Sequence, residues 1–296
     1  TAGRIENCQM GVFLAYASPK GRAFLDRDLY LPVAWAADAA RRLEAGVPAT
    51  ITFQTKPQLA RAMVERALEA GVPAAWVTGD EGYGSDRRLR VWLAERGMPY
   101  VLAVKRTESL VALTAPAAVP AKAAALVAAL PATAWERRSA GAGAKGPRLY
   151  DWAWVPLQPL GGAGTGSWLL ARRSLAPSGE LAYYVCCGPA GTSLAELVRV
   201  AGTRWAIEES LEAAKGETGL DQYEVRRWDG WYRHVTLALL ALAFLAVTRA
   251  HASPAATPLL PVTPHRAAVP SLAVFRAGRG LGSGSAWRRS DVCCGG

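Results

Sequence analysis

Between Lys56 and Val104 the chain switches repeatedly between two hydrophobic periods, and that alternation restricts what it can fold into more than any other feature. From Lys56, with Pro57 in the first turn, apolar residues at Leu59, Met63, Ala67 and Leu68 keep helical spacing until Gly71. Ala74–Thr78 is then a short, mostly apolar run that reads as a buried strand, Ser85–Arg96 returns to the helical period and closes at Gly97, and Tyr100–Val104 is apolar again. Strands separated by a helix have room to cross over and pair in parallel, so this half reads as an α/β core. Upstream, Gln9–Ala17 and Ala23–Leu31 flank Ser18-Pro19-Lys20-Gly21, the pattern of a hairpin.

After Lys105 the texture changes. Ala115–Ala134 is rich in Ala and Pro, Ser139–Gly146 reads as a Gly/Ala loop, and Tyr150–Leu157, Ser167–Arg172 and Glu180–Cys187 read as three strands. Helical periodicity resumes from Ser193 to Lys215 and again from Trp228 to Arg249. The expected organisation is a first core segment over residues 1–104, a β-rich insertion over 105–192, a helical part of the core over 193–250, and a tail over 251–296. That tail is rich in Pro, Gly and Arg and is expected to be disordered or degenerate.

The 296 residues are 51% hydrophobic, enough for a substantial core. Lys and Arg outnumber Asp and Glu by 34 to 24, and the resulting net charge of +10 favours a polyanionic partner such as DNA. Cys8, Cys186, Cys187, Cys293 and Cys294 lack zinc or redox spacing, which points to a reducing cytosol. Val235–Val247, flanked by Arg233 and Arg249, is too short to span a bilayer and is expected to be a buried helix. Among the histidines, His234 alone falls in a well-formed element, where a buried hydrogen bond is the expected role.

The chemistry concentrates in two places. The apolar run of Trp76-Val77-Thr78 halts on Gly79-Asp80-Glu81-Gly82, and a carboxylate at the carboxyl end of a strand in such a sheet is where ligands are usually met. Ser85 or Asp86 is better placed to cap the following helix, which leaves Asp80 and Glu81 without a necessary structural duty. Far downstream, Arg204, Glu208, Leu211 and Lys215 share one helical stripe. A surface ion pair accounts for that stripe just as well by itself. Carboxylates from distant positions can together hold magnesium at a phosphodiester.

The segment Arg204-Trp205-Ala206-Ile207-Glu208, followed by six residues and Lys215, resembles the Tyr-x2-Arg-x3-Glu-x6-Lys signature of insertion-sequence transposases related to the IS4 group. Gly3-Arg4-Ile5-Glu6-Asn7-Cys8-Gln9, Asp28-Leu29-Tyr30-Leu31-Pro32, Thr55-Lys56-Pro57, Asp80–Gly84 and Tyr223–Trp228 are similar to its IS701-like branch, in the same order, up to about residue 250. The resemblance implies an RNase H-like core, interrupted by a β-rich insertion between the second Asp and the Glu of an Asp-Asp-Glu triad. It makes Asp80 the second Asp and Glu208 the Glu, both binding Mg2+ or Mn2+, with Arg204 and Lys215 as DNA contacts. The implied activity is cleavage and transfer of DNA strands at the terminal repeats of an insertion sequence, in the bacterial cytoplasm on the nucleoid, with a homodimer as a possible assembly.

Two departures accompany the resemblance. The signature's Tyr falls on Ala201, and its first Asp belongs to a strand upstream of Gln9. The chain opens on Thr1 and is expected to begin partway into the core, leaving it incomplete at the N-terminus with two of three carboxylates. A catalytically inactive DNA-binding remnant and another RNase H-like nuclease therefore stay open as alternatives. No heptad or exposed apolar stripe is apparent that would argue for the dimer.

Overall fold

A computed structural model describes residues 8–18, 20–114, 119–143, 146–224, 226–252 and 271–280. The expected hairpin is present as β1 (Cys8–Ser18) and β2 (Gly21–Tyr30), its turn tied by the Ser18 hydroxyl, which donates to the Gly21 carbonyl at 3.2 Å. Two short helices follow, α1 (Val33–Ala37) and α2 (Ala39–Ala45), the second capped by Asp38 and ended by Gly46 in the left-handed region.

Helix α3 (Lys56–Glu69) begins with a reciprocal capping box between Thr55 and Gln58 and buries Leu59, Ala60, Met63, Val64 and Ala67. Strand β3 (Trp76–Gly79) runs into a single turn, α4 (Glu81–Gly84), then α5 (Arg87–Glu95) and β4 (Tyr100–Val104). The small pair β5 (Ser109–Leu110) and β6 (Ala121–Lys122) precedes α6 (Ala123–Ala128). Then come β7 (Glu136–Gly143), β8 (Gly146–Leu157), β9 (Thr165–Arg173) and β10 (Leu181–Pro189). Helices α7 (Leu194–Thr203), α8 (Trp205–Thr218) and α9 (Trp228–Ala252) and a last strand, β11 (Ser271–Gly280), complete the described chain.

Nine strands form one mixed sheet in the order β2-β1-β11-β3-β4-β10-β9-β8-β7. As the alternating periods require, β3 and β4 are parallel. Strand β10 pairs antiparallel with β4, so the β-rich segment extends the core sheet edge to edge and is not a separate layer. It also holds one strand more than the sequence suggests: most of the Ser139–Gly146 stretch belongs to β7, which pairs with β8. Its small residues disguise a strand, since Gly and Ala carry little strand preference and pairing with a neighbour decides the matter.

The largest correction concerns the tail. Residues 271–280, expected to be unstructured, form β11 in the middle of the sheet, antiparallel to β1 across ten pairs and parallel to β3 across four. Ser271, Leu272, Ala273 and Val274 are all buried, and an apolar run covered on both faces is what a central strand of such a sheet requires. Surrounding Pro, Gly and Arg hide this run in the sequence, and residues 253–270 and 281–296 lie outside the described residues.

Side chains alternate between two helical layers. Val12, Leu14, Val77, Leu102, Leu272 and Val274 meet α3 and α5 on one face. On the other, Trp76, Val101 and Tyr184 pack under α7, while Phe13, Ala15 and Ala273 pack under α8 and α9. Helix α9 is not the buried helix its composition suggests. Trp231, Val235, Leu239 and Leu242 face the sheet, whereas Leu237, Leu240, Phe244 and Val247 are exposed. Its segment Trp228–His251 is also long and apolar enough to cross a membrane, judged by length and composition alone. The exposed four are spaced by three, four and three residues, an apolar stripe that the sequence reading passed over because the helix is apolar nearly all round.

Two close backbone approaches fix how helices sit on the sheet. A Cβ at Gly84 would lie 1.9 Å from the Ala103 carbonyl oxygen, and one at Gly202 would lie 2.0 Å from that of Ala140. Each forbids any side chain without a shift of helix against strand. Gly84→Ala and Gly202→Ala are each expected to lower stability in chemical denaturation by roughly 1–3 kcal/mol, the usual range for overpacking. Gly162→Ala, where an added Cβ meets nothing within 4 Å, is expected to be near neutral. Equal midpoints for all three would contradict these approaches.

Candidate active site and nucleic-acid interface

Asp80 follows the last residue of β3 directly and caps the turn of α4, its carboxylate accepting from the Gly82 N–H at 2.8 Å. Of Ser85 and Asp86, the two candidates to cap the next helix, Asp86 caps α5, accepting from Leu89 N–H at 2.9 Å, but Asp80 has a structural duty of its own all the same. The short α4 between them has no helical period of its own to reveal it. Asp80 thus holds a turn as well as offering a ligand atom, since its second carboxylate oxygen has no partner among the described residues. Glu81, exposed, lies in the first turn of α4.

The strands flanking Asp80 supply no second carboxylate at its level. Gly79 pairs with Val274 on β11 and Leu102 on β4, so the register carried one residue on places Phe275 and Ala103 beside Asp80. Alternation from Trp76 and Thr78 puts Asp80 on the side of the sheet that α7 and α8 cover.

Glu208 lies on that same side, in the first turn of α8. Its neighbour Ile207 is buried against Phe13, Ala15 and Ala273, which directs the adjacent Glu208 toward solvent, with 58% of its side chain exposed. Arg204 donates to the Glu208 carboxylate at 3.2 Å, one turn before it. Helices α7 and α8 meet at Arg204, whose backbone stays helical, so the pair straddles the junction. Lys215 is in the last turn of α8, half-buried, farther along the stripe. Ala201, in the signature's Tyr position, is 1% exposed in the cluster with Trp76.

Around the start of α8 the structure gathers side chains from the β-rich segment that were not singled out from sequence. The Tyr150 ring of β8 stacks on Trp205 with centroids 5.9 Å apart and planes 9° off parallel. Trp205 is half-buried and belongs to this contact between layers. The guanidinium of Arg148 lies 4.7 Å from the Trp205 centroid, that of Arg172 4.9 Å and that of Arg204 5.6 Å. Burial pulls the Arg148 guanidinium below its usual pKa, while the Glu209 and Glu208 carboxylates act against that shift. The available signal was the period of two in Arg148-x-Tyr150-x-Trp152, which lines one face of a strand.

Other titratable groups have structural occupations. His234 bonds through Nε2 with the Gly219 carbonyl at 3.1 Å, closing the end of α8; the bond is part-buried and not the fully buried one expected, and the ring lies against Tyr223. Cys186 and Cys187 are buried on opposite faces of β10, and burial raises both thiols. Neither is placed for nucleophilic or metal chemistry.

Among the described residues no group of three Asp, Glu, His or Cys could hold a metal ion. Of the two expected acids, Asp80 keeps one carboxylate oxygen without a partner among the described residues and Glu208 an exposed carboxylate, each an oxygen donor of the kind that hard divalent ions accept. The two do not amount to the three-carboxylate cluster of a two-ion site.

No curated protein matches the chain. Residues 1–139, from the hairpin through β3, Asp80 and β4 to the start of β7, match the family model of the DDE superfamily endonucleases. A large mixed sheet between two helical layers is compatible with the RNase H-like fold of such nucleases. In this first part, which carries Asp80, the chain is similar to the DDE superfamily endonucleases.

Proposed function

We propose that this chain is a transposase-type nuclease acting on DNA, of the IS701-like branch of the IS4-related insertion-sequence transposases, in the bacterial cytoplasm. The observation that carries the reading is the match over residues 1–139, within which Asp80 stands at the carboxyl end of a core strand. The order of the motifs from Gly3 to Trp228 supports the subfamily, and the net charge of +10 supports a DNA partner.

Asp80 and Glu208 are the acidic part of the site in this reading. A bound Mg2+ or Mn2+ would neutralise charge on the scissile phosphodiester and polarise it toward attack. Asp80 offers its free oxygen from a turn made rigid by its own cap and by the Gly84 approach. Glu208 is steadied by Arg204, which also adds a positive charge at the place a phosphate would come. Lys215 extends that positive stripe along α8.

A second reading, a DNA-binding protein without cleavage, is favoured by there being, among the described residues, no group of three acidic, His or Cys side chains that could hold a metal ion. Nicking of supercoiled DNA bearing insertion-sequence ends distinguishes the two. The first reading expects Mg2+- or Mn2+-dependent nicking that falls at least a hundredfold in Asp80→Asn and Glu208→Gln. Asn caps as well as Asp, so the first variant keeps its turn while losing its charge. DNA bound without any nicking in either ion would reject the first reading in favour of the second.

The partner of the exposed α9 stripe, we propose, is a second copy of the chain. Leu237, Leu240, Phe244 and Val247 have the spacing of a helix–helix seam, with Glu217 beside one end and Arg249 beyond the other. A two-fold antiparallel pairing about the stripe would bring each Glu217 toward the partner's Arg249, which makes the surface self-complementary. Light scattering should give the mass of a dimer, and Leu240→Lys with Phe244→Lys should give a monomer. A monomeric wild-type protein at tens of micromolar would dismiss the pairing.

A further inference from the structure

The arginines around Trp205 are a site in search of an anion. Arg148 and Arg172 form no hydrogen bond and no ion pair among the described residues, yet Arg148 Nε and Arg172 Nε and Nη1 are buried. Arg172 lies 4.6 Å from the Tyr150 centroid and 4.9 Å from that of Trp205, so two stacked rings hold its plane. Both carboxylates in the neighbourhood are already engaged, Glu208 with Arg204 and Glu209 with Arg22. Among the described residues, the Arg148 and Arg172 guanidinium groups therefore lie without an acidic partner where water is partly excluded.

A half-desolvated guanidinium without an acceptor is costly, and an oxyanion relieves that cost with charge-assisted hydrogen bonds. Ring stacking fixes the orientation of each fork in advance, which suits a planar donor to phosphate oxygens. We propose that Arg148 and Arg172, with Arg204, form a binding site for the phosphodiester backbone of a nucleic-acid strand, built between the β7–β8–β9 part of the sheet and the start of α8. The inference rests on the reading of the chain as a DNA-handling protein and adds a contact surface from β8 and β9, outside the residues that match the endonuclease family. Because Arg204 belongs to both, a strand held here passes Glu208.

The test uses the full chain and a labelled DNA duplex, with binding read by anisotropy across a salt series. Arg148→Ala and Arg172→Ala should each weaken binding about tenfold or more and reduce the salt slope by about one, as loss of one phosphate contact does. Arg172→Lys should restore the slope and only part of the affinity, since a point charge replaces the fork. Arg137→Ala, which removes an exposed partner of Asp151 on β7, should change neither. Independently of any variant, DNA should protect Arg148 and Arg172 of the wild-type protein from phenylglyoxal, and pyrophosphate alone should protect them far less.

Wild-type binding that both alanine variants retain would overturn this site and leave the DNA reading intact. No binding of DNA by the wild-type chain would remove both. Protection by pyrophosphate equal to that by DNA would overturn the assignment to a strand in favour of a small phosphate ligand.

Discussion

Everything in the core depends on one strand's place in the sheet. Among the described residues the β1–β2 hairpin has no hydrogen-bonded neighbour in the sheet other than β11, which joins it to β3 and hence to β4 and the β-rich half. Remove β11 and two edges, the long β1 and the short β3, present unpaired N–H and C=O groups inside a protein that must otherwise satisfy them. Its buried residues also serve both layers: Leu272 and Val274 join the cluster under α3 and α5, and Ala273 joins the one under α8 and α9. The strand therefore joins the hairpin side of the sheet, on which α8 and α9 pack, to β3, while α7 and the Tyr150–Trp205 stack seat the start of α8 on the other side.

From that frame the site's electrostatics follow. Asp80 is held by local geometry, a strand end, a cap and a glycine that lets α4 lie on β4. Glu208 is held more loosely, by an exposed ion pair of the kind worth only a few tenths of a kcal/mol. What gives its surroundings definition is the packing beside it, where Tyr150 and Trp205 clamp guanidinium groups from two strands and a helix. A basic chain can spread its charge evenly and bind nothing in particular. Here three arginines meet around one tryptophan next to one of the candidate acids.

Much of this was legible in the sequence wherever structure is decided locally. The hairpin, α3 with Pro57 in its first turn, and Tyr100–Val104 follow from periodicity and turn residues and lie where those signals put them. What local signals could not reveal depends on contacts distant in the chain. Strand β11 is made a strand by β1, more than two hundred and fifty residues earlier, and β7 by its pairing with β8. Helix α9 was read as buried because hydropathy cannot distinguish a core helix from one covered on a single side. Asp80's cap was missed because one turn of helix has no period, and Arg148 and Arg172 because their meeting with Trp205 is a product of the fold.

The measurement that bears most directly on this account is native-state amide hydrogen exchange at Leu272, Ala273 and Val274. As members of a central strand paired on both sides, their amides should exchange only on global unfolding, as slowly as the slowest amides of β3 and β4. Exchange at the rate of unstructured chain, with β3 and β4 still protected, would contradict it. In that case β11 would not be part of the sheet, and no described strand would join the β1–β2 hairpin to β3.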